Sequence, residues 1–153
     1  MVLTNAVRAA PLSSKIFSAC AIWLIGLGVY FILLRPALLP EDPRFMGTSI
    51  EVLRAAAPGL ERWLGHVFDV LRGFMVATGT LTLLVACRSL SGRPRGALIA
   101  MVVAGASGVA LMSATNFILH SDFRFVLLAP ALLWLAGVWR YLREDSRARR
   151  TAP

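Results

Sequence analysis

Nine side chains in this sequence have the types and spacing for chemistry: Glu41, Asp42, Arg44, His66, Asp69, Asn116, His120, Asp122 and Arg124. The two histidines lead the set. His66 has Asp69 three residues on, a separation at which two side chains meet on one helix. His120 follows Asn116 by one turn and precedes Asp122 and Arg124. Glu41, Asp42 and Arg44 lie in the segment LLPEDPRFMG.

Three uses fit these residues. Opposite charges can pair with one another and pin a loop to the rest of the protein. The same groups can line a mouth that binds or transports a small molecule or lipid between helices. His66 and His120 can ligate a haem or metal ion, with Asp69 or Asp122 as a further ligand or hydrogen-bond partner. The chain has no Ser/His/Asp spacing, phosphate loop or HExxH, so the common hydrolase chemistries have no motif here. No motif calls for a cofactor, and the reading leans away from an enzyme.

The elements that must position these residues are apolar helices. The chain has 153 residues, 58% of them hydrophobic, with a mean hydropathy of +0.71. Soluble domains are nearer ~45–50% apolar and do not bury four continuous apolar helices. An all-α membrane domain of four spans is therefore expected, at about 16–34, 64–87, 97–119 and 125–142. An outer loop occupies 35–62 and a basic tail 143–153, the tail read as disordered from Glu144 onward.

Charge orients the spans. Net charge is +8, from 16 basic and 8 acidic residues. Arg8, Lys15, Arg88, Arg93, Arg95, Arg140, Arg143, Arg147, Arg149 and Arg150 fall on alternate connections, with only Glu144 and Asp145 beside them. The other segments sum to zero. This is the positive-inside pattern, with both termini cytoplasmic. It leaves the nine candidate residues on the outer side. The excess also attracts anionic lipid. No aromatic-interleaved basic groove speaks for nucleic acid. Cys20 and Cys87 lack metal-ligand spacing and read as packing residues.

Local signals refine the picture. Pro36, Pro40 and Pro43 keep the first part of the outer loop non-helical. Thr48-Ser49-Ile50-Glu51 is a capping-box pattern that predicts a short helix from Ser49 to Ala56, lying on the membrane surface or capping the bundle. Gly26 and Gly28 offer the first span a packing notch. The third span repeats small residues every fourth place, Gly96, Ala100, Ala104 and Gly108, a spacing that lets another helix approach closely. The fourth span holds Pro130, and only a helix that starts before it is long enough to cross.

With the four spans, the segment LLPEDPRFMG…PGLERW and the Gly-bearing stretch Gly73 to Gly79 in hand, the layout resembles the DoxX-like group of small four-span membrane proteins. That resemblance implies a bacterial inner (plasma) membrane and carries no catalytic motif. The expected role is a structural or partner subunit in the bilayer. Its partners would be lipid, a second copy or another membrane protein.

Overall fold

A computed structural model describes residues 10–94 and 96–151, so Arg8 and Arg95 lie outside the described residues. Among the described residues all regular structure is helical. Helix α1 spans Leu12–Leu34, α2 Glu41–Phe45, α3 Ile50–Ala56 and α4 Leu60–Arg88. A 3₁₀ turn at Leu90–Gly92 leads to α5, Ala97–Ala104. A π-helical stretch at Gly105–Ala110 joins α5 to α6, Leu111–Ile118, and α7 is Arg124–Thr151.

Four helical runs are long and apolar enough to cross a membrane: Leu12–Leu34, Leu60–Arg88, Ala97–Ile118 and Arg124–Arg150. Helices satisfy their own backbone groups, so apolar runs of this length fold this way in lipid. The chain is an all-α four-span bundle. Helix α1 is its middle member, packed on α4 at one side and on α7 at the other. Helix α7 in turn packs on the span formed by α5, the π-helical stretch and α6.

Close approach needs missing side chains. A Cβ on Gly28 would stand 2.8 Å from Val76 Cγ2 and 3.2 Å from the Arg72 carbonyl oxygen. A Cβ on Gly79 would stand 2.7 Å from Ile25 Cγ1 and 3.0 Å from the Ala21 carbonyl oxygen. The two glycines, one on each helix, let the α1 and α4 backbones nearly touch. Of the expected notch, Gly28 serves and Gly26 faces open space.

Of the third span's expected repeat, Ala104 packs against the core, whereas Gly96 and Gly108 have nothing near a would-be Cβ and Ala100 is exposed. The packing glycine is Gly105, where an added Cβ would fall inside the Trp134 indole. Trp134 is buried, meets Phe17 edge-on at 5.4 Å and donates from Nε1 to the Met101 carbonyl at 2.9 Å. The Gly105 N–H is shared between the Met101 and Val102 carbonyls. The helix widens into its π-helical stretch where this foreign donor enters the ladder.

Helix α7 begins before Pro130, as its length requires. Proline removes one amide donor from the helix interior. The same region is tied to the third span by Ser113, whose hydroxyl donates to the Leu127 carbonyl at 2.5 Å. At its other end α7 does not stop at Leu142. It runs to Thr151, so the expected disordered tail is helix through its described part. Glu144 and Asp145 hold it there, through partners described below.

The apolar core gathers Phe17, Cys20, Leu90, Ala97, Met101, Trp134 and Tyr141, toward the end of the bundle that carries the termini. The loop end is held by polar groups.

Candidate functional site

The loop end is built around an arginine inside a helix that is otherwise charge-free from Gly73 to Cys87. Arg72 has a side chain only 7% exposed. Its Nη1 donates to Asp69 Oδ1 at 2.9 Å, one turn back on α4. Its Nη2 donates to the Arg35 carbonyl at 3.1 Å. Arg35 is the C-cap of α1, and α1 has no basic residue of its own in its last turn. Helix ends leave carbonyls without partners and carry partial negative charge. Arg72 therefore caps α1 from the neighbouring helix, and the Gly28 approach brings it within reach.

Arg35 completes the cluster. Its guanidinium lies 5.2 Å from the Phe31 ring centroid and 5.6 Å from that of Phe68. Burial pushes it below its ordinary pKa. The carboxylates of Asp42 and Glu41 oppose that shift, and the like charge of Arg72 adds to it. The outer loop is pinned beside them. Glu41 is buried and its Oε1 accepts from the Ser121 hydroxyl at 3.0 Å, across the bundle from α2 to the turn before α7. Asp42 Oδ2 accepts from the Leu39 N–H at 2.8 Å and closes the turn that starts α2.

Helix α3 stands apart from this cluster. Its N-cap is Ser49, not Thr48 as a capping box would have it, and Ser49 Oγ accepts from the Val52 N–H at 3.3 Å. No α3 residue is buried, so the helix does not cap the bundle; an exposed ion pair, Arg54 to Glu61 at 2.9 Å, ties it to α4.

The nine expected residues part into three sets. Glu41, Asp42 and Asp69 join Arg72 and Arg35. Asn116 and His120 end α6: the His120 N–H reaches the Phe117 carbonyl at 3.1 Å and the Ser121 N–H the Asn116 carbonyl at 3.0 Å. This is a Schellman stop with His120 left-handed at φ 51°. The Asn116 amide donates within its own helix, to the Met112 carbonyl at 2.9 Å. The remainder face outward or pack locally. His66, Arg44 and Asp122 are exposed, and Arg124 lies 5.0 Å from the Phe125 ring centroid.

The two histidines stand on helices with different main neighbours, α1 for α4 and α7 for α6. Among the described residues no group of three or more His, Cys, Asp or Glu could hold a metal ion. The exposed imidazole of His120 carries a backbone cost that glycine would not. His120→Gly should raise stability by about 1 kcal/mol, read as a shift in SDS-induced unfolding in mixed micelles. A loss instead would mean that the imidazole has a partner worth more than the strain.

A second polar cluster closes the termini end. Glu144, on α7, accepts from the Ser13 N–H at 3.3 Å and the Ser13 hydroxyl at 2.6 Å. Ser13 lies in the first turn of α1, where amides lack intrahelical partners and α1 has no acid of its own. Arg93, left-handed at φ 51°, reaches Asp145 at 3.2 Å and Glu144 at 4.0 Å. Asp145 also accepts from Arg149 Nε at 2.9 Å, one turn on along α7. Thus α1 has a carboxylate from α7 at its positive end and a guanidinium from α4 at its negative end.

Ser13, Arg35, Arg72 and Ser121 were not legible as site residues in the sequence. The one available signal was Arg72, a charge three residues after Asp69 at the edge of a charge-free run.

The fold and these two clusters define a membrane protein of four apolar helices whose charged groups stitch helix ends together. Comparison with protein-family models, with curated proteins and with solved structures finds no match.

Proposed function

We propose that the protein is a non-enzymatic subunit of a bacterial inner membrane that partners another membrane component through its helix faces and outer loop. On this reading the N- and C-termini face the cytoplasm, as the arginines of alternate connections favour. The DoxX-like layout belongs to the same reading.

One observation carries it. The loop-end charges that come together are used on one another, on backbone and on a hydroxyl: Arg72 on Asp69 and the Arg35 carbonyl, Asp42 on the Leu39 N–H, Glu41 on the Ser121 hydroxyl. Such a set supports architecture rather than turnover. The helix surfaces support a partner role as well, since the most apolar stretch of each of the four spans is only 22% to 33% buried within the chain.

The test is affinity purification of the tagged full-length protein from native membranes, with and without His66→Ala and His120→Ala. A membrane partner should co-purify in fixed ratio and persist in the double variant. A small molecule that is retained by the wild type and lost from a folded double variant would replace this reading with a carrier. A haem Soret band lost in the same way would replace it with a redox protein.

A further inference from the structure

The last three turns of α7 carry two opposed faces. Tyr141, Glu144 and Asp145 look inward; the two acids hold Ser13 and Arg93, and Tyr141 lies 5.6 Å below the Arg93 guanidinium. Trp139, Leu142, Arg143, Ser146, Arg147 and Arg150 line a shallow groove on the outward face, about 330 Å³ in volume. Asp145 also holds the exposed Arg149 at 2.9 Å, and the groove itself is lined by three arginines and no acid. Arg143 lies 4.0 Å from the Trp139 ring centroid. Among the described residues no acid pairs with Arg143 or Arg150.

Depth orders these residues. Helix α7 starts at Arg124, and an apolar layer of ~30 Å takes roughly 20 helical residues. Its far boundary falls near Arg143. Trp139 and Leu142 then sit at the level of the glycerol and upper acyl chains, where aromatic side chains concentrate. Arg143, Ser146, Arg147 and Arg150 sit among the headgroups. From apolar to cationic, the groove follows the polarity of a phospholipid.

We propose that this face of α7 is a binding site for an anionic phospholipid of the leaflet on the C-terminal side. The acyl-glycerol part packs on Trp139 and Leu142. The phosphate takes hydrogen bonds from the Arg143 and Arg147 guanidiniums, while the Ser146 hydroxyl stays donated to the Leu142 carbonyl at 2.9 Å. Guanidinium suits this contact, because its planar fork matches two phosphate oxygens.

The test uses full-length protein in phosphatidylcholine vesicles, with spin-labelled phosphatidylglycerol or spin-labelled phosphatidylcholine as probe. The fraction of motionally restricted label is read for each. The wild type should prefer the anionic label, by on the order of fivefold per contacting guanidinium at low salt, and the preference should fall as salt rises. Arg143→Gln with Arg147→Gln should bring it close to unity. Lys15→Gln with Arg88→Gln removes two exposed charges from the same end of the bundle and should leave most of it. Arg143→Lys with Arg147→Lys, which keeps the charge, should retain a partial preference and guards against misfolding of the glutamine pair. Equal losses in the two glutamine pairs, or a wild type without preference, would overturn the site.

Discussion

Gly105→Ala should destabilise the bundle by about 3 kcal/mol, near the upper end for overpacking a core, while Gly108→Ala, three residues away, should be neutral or slightly stabilising. At position 105 the new methyl falls within the indole of Trp134, a buried ring held from several sides. Phe17 meets it in a T-shaped contact at 5.4 Å, and its Nε1–H is tied to the Met101 carbonyl at 2.9 Å. The indole can retreat only by breaking that bond and leaving a buried polar group unpaired. At position 108 nothing lies within reach of the methyl, and alanine is the better helix former by roughly 1 kcal/mol. SDS-induced unfolding of the two variants measures the difference. Equal effects would show that Gly105 does not face Trp134. Shrinking the ring in the Gly105→Ala background, by Trp134→Leu, should recover part of the loss, which separates a steric cause from a helix-propensity one.

Arg72→Met should cost about 2–3 kcal/mol, the range for losing hydrogen bonds made by a charged donor. Methionine fills a similar volume and keeps the helix propensity, so the loss reports the guanidinium. Two bonds disappear, to Asp69 and to the Arg35 carbonyl at the end of α1. Asp69 is 57% exposed and falls back on water, so the damage concentrates at the α1 terminus. Glu144→Ala should act on the opposite end of the same helix, by a similar or smaller amount, because it strips the Ser13 amide of its acceptor. Hydrogen exchange can localise each loss. Arg72→Met should expose the last turn of α1 and Glu144→Ala its first turn, each leaving the other end protected. Uniform loss of protection in either variant would mean that these residues support the fold by some route other than capping.

Much of the architecture was legible in the sequence because it rests on composition and length. Charge-free runs give the spans, Pro130 places the start of α7 ahead of itself, and Glu41 and Asp42 belong to the loop end as expected. What the sequence did not show has a common cause: the deciding partners are remote. A helix apolar on every side does not reveal which stripe packs, so the repeat from Gly96 to Gly108 does not single out Gly105, whose role depends on Trp134. Glu144 and Asp145 looked like part of a solvated tail because Ser13 and Arg93 lie 131 and 52 residues away along the chain. Arg72 carries no local sign of its role, since nothing in the sequence says that α1 ends beside it. The histidines attracted attention as ligands, yet one ends a helix and both are exposed.

The central position of α1 against α4 admits a direct test without disturbing either cluster. Ser18 Oγ on α1 lies 3.6 Å from Cys87 Sγ on α4. Ser18→Cys therefore places two thiols within disulfide reach. Mild oxidation of this variant in membranes should join the peptides that carry residues 18 and 87 within one chain, and the wild type should show no such link. A variant that stays unlinked, or that links only between chains, would contradict the packing of α1 on α4 from which the Arg72 cap of α1 follows.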